Sequence, residues 1–213
     1  MNRRGILVLA VFVLSACALA AQEPLSSTML PPSTGAPNVG DKVSDFTLPD
    51  IHGQPVKLAT LRSGSLESGK TAAEVRGYWE LLIFYRGAEC ANCNAELRSI
   101  QDNLKLFESR HVRVIAVSTD SPAVSKRLCE EKGYTFMVLS DSNAAVIRKW
   151  DLLQARGSKN APEVARPAEF LIDVAGRVRW RNLPADDKTW LHASDVLSVL
   201  DTLHVGGTGL API

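Results

Sequence analysis

An apolar strand that runs directly into a Cys-x-x-Cys pair at the start of a helix leaves this chain few folds to choose from. Leu81 to Tyr85 form the strand, Arg86 to Glu89 make a short turn, and Cys90-Ala91-Asn92-Cys93 opens the helix. A helix N-terminus presents unpaired N–H groups and the positive end of the macrodipole, and both favour a thiolate over a thiol. Residues i and i+3 of the first turn share one face, so the two sulfurs can close a small disulfide. The strand–turn–helix junction therefore points to thiol chemistry before anything else in the chain is considered.

Beyond the junction, strands and helices alternate. The helix from about residue 91 to 109 carries one apolar stripe of Leu97, Ile100, Leu104 and Phe107. Val112 to Val117 is apolar apart from Arg113, as expected of a strand covered on both faces. Ser121-Pro122 reads as an N-cap with proline at the first helical position, and Gly133 as the stop. A strand at 135–139, a helix at 143–151 and a loop at 153–166 come next. Phe170–Asp173 and Val178–Arg181 flank a Val174-Ala175-Gly176 turn, and a closing helix from Ser194 buries Val196, Val199, Leu200 and Leu203. Before the junction, Phe46, Leu48, Ile51, Val56 and Leu58 alternate with polar residues around a His52-Gly53 turn and predict a hairpin. Residues 62–77 read as a loop with a short helical piece at 72–75. The pattern predicts an α/β domain: a central mixed sheet flanked by helices, with an N-terminal β-hairpin extension.

The 213 residues allow one domain with a sizeable core, plus appendages. A formal charge of +1 argues against a nucleic-acid binder, which would show a clustered basic face. Residues 1–20 read as a signal segment, with Arg3 and Arg4 ahead of an apolar run from Gly5 to Leu14 too short to span a bilayer. Ala18-Leu19-Ala20 is one cleavage site; Leu14-Ser15-Ala16-Cys17 resembles the lipobox of bacterial lipoproteins, matching at all four positions, and would make Cys17 a lipidated first residue. Either reading predicts export to the periplasmic side, and the second a membrane anchor. Residues 21–38, rich in Pro, Ser and Thr, read as a flexible linker, 39–204 as the folded domain and 205–213 as a flexible tail.

Without Cys17, the cysteines are Cys90, Cys93 and Cys129. A structural disulfide between Cys90 and Cys93 would close too small a loop to stabilise much, so redox chemistry is the better reading. Cys129, following Leu128 on a helix, reads as a small buried hydrophobe. No second Cys-x-x-Cys is present, and His52, His111, His192 and His204 show no metal spacing. No cofactor is expected.

These segments resemble the thioredoxin-fold redoxins: peroxiredoxins of the alkyl hydroperoxide reductase/thiol-specific antioxidant type, and membrane-tethered thioredoxin-like reductases. The likeness spans about 39–204 and rests on five stretches: Gly40 to Leu48, the junction, Ile115 to Pro122, Leu139-Ser140-Asp141, and Pro167 to Asp173. It implies a thioredoxin-like fold and two residue assignments. Laid on the peroxiredoxin pattern, Cys93 is peroxidatic and Glu96 the acidic residue that comes after it, but Arg86 stands for the proline and Cys90 for the threonine whose hydroxyl orients peroxide. Laid on the reductase pattern, Cys90 is the nucleophile, Cys93 resolves, and Pro167 occupies the place of a cis-proline facing the pair. Peroxiredoxins carry an arginine near that position to stabilise the thiolate, and Arg166 sits one residue from Pro167. Glu89 beside Cys90 disfavours its thiolate, whereas Arg86 and the helix N-terminus favour it.

The first expectation is thus a thiol–disulfide oxidoreductase acting on protein disulfides. The second is a hydroperoxide reductase resolved by Cys90, in either case recharged by a thioredoxin-like thiol donor. A Cu(I) chaperone is a weaker third, since no histidine or methionine ligand is placed beside the thiolates.

Overall fold

The computed structural model describes residue 30 and residues 32–63, 77–155, 163–186 and 191–206. The signal segment with Cys17, the helical piece at 72–75 and residues 207–213 lie outside them, as does most of the linker.

In chain order the elements are β1 (Thr47–Pro49), β2 (Pro55–Lys57), α1 (Leu58–Arg62), β3 (Trp79–Phe84), α2 (Ala91–Asp102), α3 (Leu104–Ser109), β4 (Val112–Ser118) and α4 (Pro122–Lys132). After these come β5 (Met137–Ser140), α5 (Ala145–Lys149), β6 (Leu153–Ala155), β7 (Glu163–Ala165), β8 (Ala168–Ile172), β9 (Val178–Asn182) and α6 (Ala193–Thr202). Five strands form the central sheet in the order β5-β4-β3-β8-β9. β3, β4 and β5 are parallel, while β8 runs antiparallel to both β3 and β9, so the sheet is mixed as expected.

Alternation along β3 divides the core. Leu81, Ile83 and Tyr85 face a layer built from Cys93, Leu97 and Ile100 of α2, Leu128 of α4, and Ala193, Val196 and Leu200 of α6. Leu82 and Phe84 face the opposite layer, with Leu48 of the hairpin, Ile147 of α5, Trp150 and Phe170. Phe84, Trp150 and Phe170 meet with ring centroids 5.0–6.1 Å apart, a separation at which tilted and edge-on rings attract. The sheet is therefore covered on both sides, which is why its central strands read as continuous apolar runs.

Helix ends obey local chemistry. The Ser121 hydroxyl accepts from the Val124 N–H at the start of α4, and Gly133 closes that helix at φ 70°, a left-handed cap that favours glycine. The helix read over 91–109 is broken in two: the Asn103 side chain donates to the Ser99 carbonyl, and its backbone leaves helical geometry at φ −108°, ψ 10°. The apolar stripe survives the break, with Leu97, Ile100, Leu104 and Phe107 all buried.

Three boundaries differ from the sequence reading. The segment read as a loop over 153–166 is a short ladder at both described ends, Leu153 opposite Ala165 and Ala155 opposite Glu163, extended by the Arg166 N–H bonding to the Leu152 carbonyl. Two three-residue strands of low β propensity carry little local signal, and tertiary pairing selects them. Packed backbone also begins before Val39. Ala36 is 2% exposed, Arg181 donates to the Ala36 and Pro37 carbonyls, and the Gly35 N–H donates to the Asp151 carboxylate at 2.8 Å. At the other end Val205 is buried in the α2/α6 layer, within what reads as the tail.

Candidate active site

β3 delivers the chain to the end of the sheet, and the turn after it places Cys90 as the N-cap of α2. The Cys90 sulfur accepts from the Cys93 N–H at 3.2 Å, filling the capping role usually taken by an oxygen. The two cysteines are joined by a disulfide, with Cα atoms 5.2 Å apart. They differ in access: Cys93 is 0% exposed, beneath the first turn and in the α2/α6 layer, whereas Cys90 is partly exposed. Ala91, Asn92 and Glu89 around them face solvent. A thiolate arriving from outside reaches Cys90 first and expels Cys93 as the leaving group.

The turn between β3 and α2 is held from two sides. Asp120, just past the end of β4, accepts the Ala88 N–H at 2.8 Å, and its carboxylate is steadied by the Ser118 hydroxyl at 3.1 Å. The Asn94 side chain, on α2, donates to the Ala88 carbonyl at 2.8 Å, and the Asn94 carbonyl in turn accepts from the Tyr134 hydroxyl. Gly87 has φ 123°, and a Cβ there would lie 2.9 Å from an Asp120 oxygen. Both the backbone angle and the close approach require glycine.

One turn beyond Cys93, Glu96 is 2% exposed, and neither carboxylate oxygen has a hydrogen-bond partner among the described residues. Burial, reinforced by the nearby carboxylates of Glu169 and Asp195, pushes its carboxyl up to about 8. Glu169 sits opposite Ile83 in the sheet, on the same face as Leu171, and is 0% exposed. Burial pushes it up to about 7, against an Asn182 amide that donates to it at 2.9 Å. Asp195, from α6, accepts the His192 N–H at the head of its own helix. Three carboxyl groups from α2, β8 and α6 thus gather on the Cys93 side of the sheet.

The remaining residues singled out from the sequence fall in different places. Arg86 lies two residues past the end of β3, after Tyr85, and is partly buried. Arg166 is buried, and its guanidinium donates to the Pro184 carbonyl at 2.9 Å, bracing the segment after β9. Pro167 is buried at the start of β8, but its peptide bond is trans: no cis peptide occurs among the described residues. The cis-proline expected from the reductase pattern is therefore corrected. Position in sequence does not determine the isomer, because the trans form is the ground state of X–Pro bonds and only packing selects the other. Cys129 is buried on α4, and its thiol is pushed up by burial. His52, His111, His192 and His204 lie at turns and helix ends, and no group of three or more His, Cys, Asp or Glu side chains among the described residues could hold a metal ion. No described helix is long and apolar enough to cross a membrane.

Asp120, Asn94 and Glu169 had no assigned role in the sequence reading. Glu169 carried a usable signal, a charged residue inside the apolar run Ala168 to Ile172, while Asp120 and Asn94 look like ordinary loop and helix-surface residues.

A disulfide-bonded cysteine pair at a strand–helix junction, over a mixed sheet with helices on both faces, is the arrangement of a thioredoxin-fold thiol oxidoreductase. The AhpC/TSA family profile matches residues 65–181, more than half of the chain, and the protein belongs to that family. Among sequence relatives, alkyl hydroperoxide reductase E of Mycobacterium bovis is 27% identical over 168 residues, covering 76% of this chain and 98% of its own. Peroxiredoxin Bcp of Xanthomonas campestris is 27% identical over 140 residues, covering 62% and 84%. Among solved structures, peroxidoxin BcpB of Mycobacterium tuberculosis superposes with a TM-score of 0.64 at 24% identity, covering 78% of this chain and 98% of that one. A mutant of PrxQ from Xylella fastidiosa does so at 0.64 and 21%, covering 79% and 98%.

Proposed function

We propose that this protein is a thiol-dependent hydroperoxide reductase whose turnover runs through the Cys90–Cys93 disulfide. The observation that carries this reading is the bonded pair on the first turn of α2, within a chain of the AhpC/TSA family. The names of its relatives put peroxide ahead of protein disulfide as the oxidised substrate, the reverse of the order from the sequence. The Cys93 thiolate attacks the distal peroxide oxygen, the O–O bond breaks, and the alkoxide leaves as alcohol after taking a proton. Cys93 is left as the sulfenic acid. The Cys90 thiolate then attacks the Cys93 sulfur, the S–O bond breaks, hydroxide leaves as water after taking a proton from solvent, and the disulfide closes. A dithiol donor of the thioredoxin type reopens it by attacking the more exposed Cys90, and the Cys93 sulfur leaves.

A second reading is favoured by one observation: a cysteine, partly exposed, occupies the position of the hydroxyl that orients peroxide. In it, the Cys90 thiolate attacks a protein disulfide and Cys93 resolves the mixed disulfide. One pair of assays separates the two. Hydrogen peroxide consumption with a thioredoxin donor, run beside insulin reduction, is expected to show peroxide turnover lost in Cys93→Ser and a sulfenic acid trapped on Cys93 in Cys90→Ser. Peroxide consumed no faster than by a free thiol, with insulin reduction abolished in Cys90→Ser, establishes the second reading instead.

The proposal includes export and attachment through Cys17, supported by the positive n-region, the short apolar run and the four-position lipobox match. Membrane fractionation of the wild type and Cys17→Ala checks it: the variant is expected in the soluble fraction.

A further inference from the structure

The contacts around Ala88 go beyond holding a loop. The peptide two residues before Cys90 is gripped at both of its polar groups, from elements that are distant in sequence. Its N–H goes to Asp120 at 2.8 Å, and its carbonyl receives the Asn94 amide at 2.8 Å. Each grip is itself fixed: Asp120 by Ser118, with the Ser142 hydroxyl donating to its carbonyl, and Asn94 by Tyr134. The Cys90 N–H closes back on the Gly87 carbonyl at 3.1 Å. Cys90 is therefore delivered to the N-cap position with its backbone at φ −86°, ψ 104°, and its sulfur over the Cys93 N–H.

We infer that Asp120 and Asn94 are positioning residues for the thiol–disulfide cycle: clamping Ala88 between them sets how readily Cys90 and Cys93 meet, and so the poise of the pair. This inference rests on the reading of Cys90–Cys93 as the redox couple, but not on which substrate it serves. Cys93 is held by a helix and a packed layer, so it needs no such device. Cys90 stands on the irregular side of the junction, where the backbone would otherwise sample several conformations. Fixing one such residue changes an equilibrium by about tenfold, and the equilibrium concerned is closure of the disulfide against the open dithiol. The clamp needs no charge on Asp120, only an acceptor oxygen.

The test measures the thiol–disulfide equilibrium of the full chain in glutathione buffers, with Tm recorded for both redox forms and no peroxide or protein substrate present. Asp120→Ala is expected to make closure about tenfold less favourable, which for a two-electron couple is about 30 mV more oxidising. Asp120→Asn keeps an acceptor oxygen and is expected to stay within twofold of the wild type. Asn94→Ala releases the other side of the peptide, is expected to move the equilibrium in the same direction as Asp120→Ala, and decides the matter alone if Asp120→Ala does not fold. A clamp that only stabilises the fold lowers Tm equally in both forms and leaves the equilibrium unmoved; that result, or an Asp120→Asn shift as large as that of Asp120→Ala, overturns the inference. A wild-type pair that exchanges with glutathione but reduces neither peroxide nor insulin would refute the proposed activity while leaving this inference intact.

Discussion

Cys90 and Cys93 are three residues apart and chemically identical, yet the fold makes them different reagents. Cys93 is buried and Cys90 partly exposed, so in the proposed cycle the outer sulfur is the one attacked and the inner one released. At this scale the prediction concerns access. With the disulfide reduced, iodoacetamide at neutral pH is expected to label Cys90 well before Cys93, and Cys129 not at all until the chain unfolds, as peptide mapping would show. A second prediction concerns the carboxyl groups near Cys93. Folding raises Glu96 to about 8 and Glu169 to about 7, both above the ordinary value near 4.3. A raised carboxyl means that the folded state binds protons the unfolded state has lost, so the stability it contributes is complete below about pH 4 and is lost as pH rises toward about 8. Tm is expected to fall across that window, and Glu169→Gln or Glu96→Gln to flatten the fall; a Tm that rises from pH 5 to 8, unaffected by either variant, would contradict it. Of these residues the cysteines were legible, because their spacing is a motif. Glu169 stood out only as a charge inside an apolar run, with no role attached, because a glutamate in a strand takes its meaning from the helix that covers it.

At the scale of elements, caps and stops were readable where their chemistry is local. Ser121-Pro122 and Gly133 bound α4 as their sequence suggests. Because nothing lies within 4 Å of a Cβ built at Gly133, substitution there meets no steric clash, and its cost is conformational. Gly133→Ala is expected to destabilise the protein by about 1 kcal/mol in urea unfolding, with the slope unchanged. Gly87→Ala meets both a positive φ and the Asp120 carboxylate, and is expected to cost more than Gly133→Ala in the same measurement. The break at Asn103 and the β6–β7 ladder were not legible. One depends on a side chain choosing a backbone carbonyl over solvent, and the other on two short neighbouring segments of low β propensity that pair only once packed.

For the molecule as a whole, the mixed sheet places parallel strands β3, β4 and β5 so that the turns after β3 and β4 lie side by side, which is how Asp120 comes to hold Ala88. The layer on the far face is dominated by Phe84, Trp150 and Phe170, which hold β3, β8 and the segment after α5 together. Phe170→Ala is expected to cost about 3–5 kcal/mol in urea unfolding, and to do so equally with the disulfide closed or open, since that layer does not include Cys93. By itself the sequence determined the α/β class, the order of most elements and the position of the thiol pair, because hydrophobic period, cap chemistry and Cys spacing are properties of neighbouring residues. Tertiary structure alone decided which sulfur is buried, that Pro167 stays trans, that Arg166 braces Pro184, and that Glu96 and Glu169 sit with Asp195. Each of those depends on groups brought together from separate elements, where burial and pairing, rather than residue type, set the energy.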